Sequence, residues 1–335
     1  MNQRSPDPKP EVIRVRNFHV LAIGLVAVAA AACTGSGAAS PSASSAPAAT
    51  VAASAAPSVA EVPSASADAC APANLALRTP GTLTIGTDNP AYPPYFATNA
   101  DESKTAPWEL GDPTNGKGFE SAFAYTLATT LGFTPAQVVW TYIPFDNSYK
   151  PGPKAFDLDI NQISFSPERA QAVDMSDGYY FVNQAVVTLA DNPISAVTKV
   201  SELAPFRFGA QVGTTSYKTI TDVIKPTTDP SVFVYDSNDA AIAALNAKQI
   251  DAIVVDLPTA FYMSAAQLDN GKVVGQFALP SGAADLEHFS LVLPKGSAVT
   301  PCVNAAIGAM KDDGSLAAIT QEWLSDKASA PVFTP

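Results

Sequence analysis

The sequence predicts an α/β protein, and three observations predict it. From residue 81 onward, apolar runs of strand length alternate with helical stripes, the order that builds parallel or mixed sheets covered by helices. The 335 residues, 47% of them hydrophobic, give room for two domains with packed cores. In the middle of the chain, residues 156–180 pass from a period-2 pattern directly into a helix start, with an arginine in the first turn.

Composition narrows the chemistry. The net charge is −12, and −14 once residues 1–32 are removed, so phosphate backbones are repelled and no nucleic acid is expected as partner. Histidine occurs only at positions 19 and 288. A Ser-His-Asp triad, a Cys-His pair or a His-based metal site would therefore rest on His288 alone, and no metal or other cofactor is expected.

Residues 14–33 read RVRNFHVLAIGLVAVAAAAC, a basic flank, a short apolar run and a cysteine. The run is too short for a membrane span and has the form of a secretory signal, residues 1–32. It resembles a bacterial lipoprotein signal, in which the cysteine, here Cys33, is lipidated and becomes the new N-terminus. Ala30 stands where such signals more often carry Leu, which leaves plain secretion as the other reading. Residues 33–70 collapse to Ala, Ser and Pro, too little apolar surface to offset ordering entropy, so they read as a tether. Cys70 and Cys302 remain. In an exported chain they most simply form one disulfide; two buried free thiols are the alternative.

The folded part opens with a strand at residues 83–86, followed by a Pro- and Asn-rich loop carrying Tyr92, Tyr95 and Phe96, which either face a ligand or pack into the core. Phe119, Phe123, Leu127 and Leu131 recur every four residues, a helix stopped by Gly132. A second strand covers 138–143, and the proline-rich stretch 144–154 reads as a loop in which Phe145 and Asn147 either point into a cleft or brace the chain. Residues 156–165 read as a strand, and Ser166-Pro167 as the N-cap and first position of a helix. Arg169, with Ser164 beside it, then sits at the positive end of that helix and is suited to clamp a carboxylate; the bland alternative is a surface pair with Glu168 or Asp174.

A strand follows Tyr180 and ends at the turn Asp191-Asn192-Pro193. A second α/β unit comes next, with strands at 206–212, 232–235 and 251–255. Its first helix carries the stripe Tyr217, Ile220, Val223 and Ile224, entered through Gly213-Thr214-Thr215-Ser216. Thr214 and Thr215 serve as a helix cap, as a second anion seat, or as both. Asp256 ends a strand just ahead of Pro258, and either caps the next helix or meets an ammonium group. A strand at 289–293 and two helices, marked by Val303, Ile307 and Met310 and by Leu316, Ile319 and Trp323, complete the chain.

Taken together, LTIGTDNPAYPPY, GKGFESAFAYTLATTLGF, SFSPERAQAVDMSDGYY, AQVGTT and IDAIVVDLPTA resemble, in order, the family 3 extracytoplasmic solute-binding proteins of polar amino-acid ABC transporters, over residues 81–324. The resemblance implies a two-lobed type II periplasmic-binding-protein fold, two α/β domains joined by a two-strand hinge. Lobe one would be 75–187 plus 287–327 and lobe two 188–286. It implies a free amino acid, polar or basic by preference, enclosed between the lobes and delivered to a membrane permease, by a monomer outside the cytoplasm anchored through lipid on Cys33. Position by position, Arg169 corresponds to the clasp on the α-carboxylate, Ser164 to a nearby hydroxyl, and Thr214 and Thr215 to the turn that completes that site. Asp256 corresponds to the acid receiving the α-ammonium, and Tyr92 to a covering aromatic. Gln162 stands where many members have a small residue. The 144–154 loop is longer than usual, so Phe145 and Asn147 are site candidates without a match. A sensory lipoprotein is the alternative reading, and a dehydratase on the same fold a more distant one, with Glu120, Asp88 and His288 as its only acid–base candidates.

Overall fold

The computed structural model describes residues 68–99, 107–278, 286–324 and 330–335. The signal segment, Cys33 and the tether up to residue 67 lie outside the described residues.

Chain order gives β1 (Leu83–Thr87), α1 (Phe119–Thr130), β2 (Val138–Tyr142), α2 (Phe145–Tyr149), β3 (Leu158–Asp159), α3 (Pro167–Ala172), β4 (Asp174–Met175), β5 (Tyr180–Phe181) and β6 (Gln184–Leu189). Then come β7 (Phe208–Gln211), α4 (Thr215–Thr219), β8 (Val234–Tyr235), α5 (Asn238–Asn246), β9 (Ala252–Asp256), α6 (Leu257–Tyr262) and β10 (Gly271–Gln276). The last elements are β11 (His288–Phe289), β12 (Val292–Leu293), α7 (Thr300–Asp312) and α8 (Ser315–Leu324).

Two five-stranded mixed sheets result, ordered β2-β1-β3-β12-β4 and β10-β6-β9-β7-β8. In the first, β1 pairs parallel with β2 and β3, while β12 runs antiparallel to β3 and β4. In the second, β7 pairs parallel with β8 and β9, and β6 antiparallel with β9 and β10. The crossings between them are β5 and β11, which pair antiparallel through His288↔Phe181 and Phe289↔Tyr180. This is the two-lobed α/β arrangement with a two-strand hinge that the resemblance implies.

The continuous apolar runs are explained by burial on both faces. In the second sheet Ala185, Val187, Ile253 and Val255 pack on one side while Val186, Ala252 and Val254 pack on the other. The first sheet buries its larger core under α1, α7 and α8, with Phe119, Phe123, Val303 and Ile307 fully enclosed, and a smaller one around Ile143, Phe156 and Ile163 on its opposite face. Of the first-loop aromatics, Tyr95 and Phe96 belong to that larger core. Cys70 and Cys302 form the expected disulfide, Cα to Cα 5.4 Å, which ties the start of the described chain to α7. After α8 the chain reaches the second lobe: Val332 bridges to Gln276, Thr334 to Lys199, and Phe333 is buried in its core.

Several elements differ from the sequence reading. The expected strand at 156–165 pairs only at Leu158–Asp159, because Gln162 takes a left-handed φ of 49° that no pleat accommodates; the chain then re-pairs with the hinge through Ser164↔Phe289. The 144–154 loop contains the helix α2. The strand expected at 232–235 begins with a 3-10 turn, Pro230–Phe233, capped by Asp229. In the stripe after α4, Lys225 N–H bonds to the carbonyl of Ile220, a widened turn that leaves Val223 48% exposed.

Candidate functional site

The C-terminal ends of β1, β3, β7 and β9 converge, as strand ends do in open α/β sheets, and the loops they feed line one cavity of about 60 Å³ between the two sheets. The first sheet contributes Asp88 and Tyr92 after β1, Phe145 of α2, Asn161, Gln162 and Ser164 after β3, and Arg169 of α3. The second contributes Gln211 at the end of β7 with Thr214, Thr215 and Ser216 beyond it, Asn238, and Val254, Val255 and Asp256 of β9 with Thr259 beyond it. An adjoining cavity of about 230 Å³ shares Asp88, Tyr92, Phe145, Gln211 and Asn238, and adds Asp146 and Asp236.

Arg169 is positioned by local sequence. Ser166 caps α3 by accepting from Arg169 N–H at 3.2 Å, Pro167 takes the first helical position, and the arginine in the first turn leans back toward Ser164. The surface pair is excluded, since Arg169 is 7% exposed. Its Nη1 donates to the Ser164 carbonyl at 2.5 Å and its Nη2 to the Gly213 carbonyl at 2.8 Å, and its guanidinium lies 4.3 Å over the Tyr149 ring. Burial presses its pKa down, against the favourable pull of Tyr149, Asp256 and Glu287.

Facing it, Asp256 sits at the N-cap position of α6 but accepts no cap bond, so its carboxylate is free to face the cavity. Gln184 Nε2 donates to Asp256 Oδ1 at 2.6 Å and to Glu287 Oε1 at 3.0 Å, holding two carboxylates on one amide. Ser164 Oγ also donates to Glu287, at 3.0 Å, and Ser216 Oγ to Gln184 Oε1 at 2.7 Å. Burial first, and the charge of Glu287 second, hold Asp256 well above the usual carboxylate range; the Gln184 bond and Arg169 only partly oppose this. An ammonium group placed here would relieve that repulsion.

The Gly-Thr-Thr turn does local work as well. Thr214 caps α4 by accepting from Tyr217 N–H at 3.2 Å, and Thr215 Oγ1 reaches Ser164 Oγ at 3.3 Å across the cleft. Tyr95 Oη and Thr259 Oγ1, 3.2 Å apart, make a second such contact.

Gln162 lines the cavity but is held from behind: its N–H donates to Glu120 Oε1 at 2.8 Å and its Nε2 to Glu120 Oε2, while Tyr179 Oη donates to Glu120 Oε1 at 2.6 Å. Glu120 is wholly buried, and burial pushes its pKa up to about 7 against those three bonds. Asn147 is a correction. It is exposed, its Oδ1 accepts from Lys150 Nζ at 2.9 Å, and it does not line the cavity, because α2 turns it outward while presenting Phe145 inward. Of the acid–base candidates, His288 stacks on Phe165 at 5.4 Å with its Nδ1–H to the Leu286 carbonyl, and Glu120 is sealed behind Gln162; only Asp88 reaches the cavity. No group of three His, Cys, Asp or Glu side chains placed to hold a metal ion occurs among the described residues.

Sequence reasoning missed Glu287 and Gln184. Gln184 carried a signal, a glutamine opening the apolar run QAVVTL; Glu287 carried none, since only the hinge crossing brings it to Ser164.

The chain is similar to several known proteins. The L-cystine-binding protein TcyJ of Escherichia coli (strain K12) is 27% identical over 249 residues, 72% of this chain and 82% of that one. The arginine-binding extracellular protein ArtP of Bacillus subtilis (strain 168) is 23% identical over 75% of this chain and 93% of its own. Among solved structures, an ancestral arginine-binding protein bound to arginine superposes with a TM-score of 0.56 at 24% identity, over 73% of this chain and 99% of that one, a likeness of fold. The family model of bacterial extracellular solute-binding proteins, family 3, matches residues 83–326, and the chain belongs to that family.

Proposed function

We propose that the protein binds a free α-amino acid between its lobes and delivers it to the permease of an ABC transporter. The observation that carries this is that Arg169 and Asp256, a buried cation and a half-buried carboxylate contributed by different sheets, line one cavity. A zwitterion divides between them: carboxylate to Arg169 and the Thr214/Thr215 turn, with Ser164 nearby, and ammonium to Asp256, with Tyr92 covering the ligand. Only a closed form satisfies both ends, so ligand shifts the population toward closure of the first-sheet lobe upon the second-sheet lobe; the expected bounds, 75–187 plus 287–327 and 188–286, shift by a few residues because β6, from Gln184, belongs to the second sheet.

The reading is of a binding protein and not an enzyme, acting outside the cytoplasm, as a monomer, with lipid on Cys33 as its anchor. Relatives named for arginine, cystine and glutamine support the amino-acid class. Beside the apolar Pro90, Tyr92, Phe145, Val254 and Val255 the cavity carries Asp88, Asn161, Gln211 and Asn238, polar groups that favour a polar or basic side chain. A thermal-shift screen of the twenty amino acids tests the proposal: a ligand at a hundred times its Kd adds about 2.7 kcal/mol. A wild-type protein whose Tm moves with none of the twenty would overturn it.

A further inference from the structure

The unusual 144–154 loop has a use that the family resemblance does not supply. It places Tyr149, half-buried, with its ring face 4.3 Å from the Arg169 guanidinium carbon, and Phe145 packs edge-on against Tyr149 at 5.6 Å. An arginine has five N–H groups and a long flexible stem; two of those groups are engaged by the Ser164 and Gly213 carbonyls, and the ring fixes the plane in which the others point.

The shelf is itself stiffened. Lys154, 8% exposed, turns its ammonium back onto the carbonyls of Asn147, at 3.1 Å, and Lys150, closing the C-terminal end of α2. Tyr149 also reaches across the cleft, its Oη donating to the Gly213 carbonyl at 3.4 Å. Gly213 has φ of 74°, and a Cβ there would stand 2.4 Å from Tyr149 Oη, so the approach depends on glycine. Gly213 lies between β7 and α4 of the second sheet, so this contact exists only when the lobes are together.

We infer that Tyr149 is the positioning residue of the anion end of the site: its ring fixes the orientation of the Arg169 guanidinium, and its hydroxyl latches the closed form onto Gly213. The inference rests on the carboxylate-binding role proposed for Arg169. It concerns Tyr149, not Phe145, because Phe145 lies farther from the guanidinium, at 5.6 Å, and faces the cavity.

Two variants separate ring from hydroxyl. In ligand-free protein, the Arg169 Nε–Hε resonance, assigned by its loss in Arg169→Lys, is expected to be ring-shifted and slow to exchange in wild type and Tyr149→Phe. In Tyr149→Leu it should move to the position of a free arginine. An unchanged resonance in Tyr149→Leu overturns the inference, and this arm stands even if no amino acid binds.

The second arm uses the free amino acid giving the largest thermal shift, and the α-amide of that amino acid. Tyr149→Leu is expected to weaken binding of the acid about five- to tenfold while leaving the amide unchanged, the range of a partly desolvated cation–π contact. Tyr149→Phe should keep most of the affinity and release the ligand faster. Equal losses for acid and amide, falling in step with Tm, would make Tyr149 merely structural and also overturn the inference.

Discussion

The two sides of the cleft hold their polar groups by different means. On the first-sheet side Gln162 is braced by Glu120 and Asp88 lies beneath the Phe145 N–H, both from far along the chain, while Arg169, set by the Ser166 cap, stacks on Tyr149. On the second-sheet side they sit at helix entries, Thr214 as the cap of α4 and Asp256 opening α6. Tertiary contacts preset most of the first side, whereas on the second side local turn chemistry sets Thr214, and Asp256 is held by Gln184 of the neighbouring strand β6. A lobe pair that must open and shut benefits because these braces lie within one lobe each and keep their geometry when the lobes part.

The sharpest way to break the comparison is to remove one anchor from each side. Arg169→Ala and Asp256→Ala are each expected to weaken amino-acid binding by well over tenfold, since truncating one partner of a desolvated charge pair costs about 2–5 kcal/mol. Isothermal calorimetry decides it. If Asp256→Ala were harmless while Arg169→Ala was not, Glu287, held on the same Gln184 amide, would be receiving the ammonium instead.

How much of this was legible in the sequence follows whether a group's partner is local. Local chemistry was readable: the Ser166-Pro167 entry to α3, the Thr214 cap, Asp256 at a strand end, and the alternation of strands and helices that defines the fold. What needed folded partners was not. Gln162 breaks the expected 156–165 strand with a left-handed backbone, and the partner that holds it, Glu120, lies 42 residues away. Glu287 reaches Ser164 over a separation of 123 residues, through the hinge. Asn147 and Phe145 looked alike in a proline-rich loop, and only the short helix α2 turns one out and the other in.

The disulfide sharpens the comparison next, because it belongs to the first lobe alone. Replacing Cys70 and Cys302 together by serine should cost about 2–4 kcal/mol, mostly by freeing the unfolded chain. Hydrogen exchange should lose protection first in α1 and α7, with β6 and β9 less affected. Equal loss in both sheets would mean that the lobes unfold as one unit, and that the difference between them is confined to the cleft.

A smaller effect comes from pH. Glu120 titrates near 4.5 in the unfolded chain and at about 7 when folded, so between these values the folded form holds more proton. Stability is therefore expected to fall as pH rises from about 4.5 to 7, by roughly 2–3 kcal/mol from Glu120, and Asp256 adds in the same direction. Urea melts of wild type and Glu120→Gln across that range isolate the first share. The variant should show the shallower slope, and matching slopes would mean that Glu120 stays ionised beneath Gln162.

The smallest expected effect tests where the first side ends. Asn147→Ala should leave affinity unchanged and Tm within the noise of a surface substitution, about 0.5 kcal/mol. Its side chain meets only Lys150, on the exposed face of α2, and it is the Asn147 carbonyl, which alanine retains, that receives Lys154. Calorimetry and a thermal melt on the one variant are enough. A loss of tenfold or more would place Asn147 at the ligand and require α2 to turn over when ligand binds, which would withdraw Phe145 from the cavity and Tyr149 from Arg169 in the same movement.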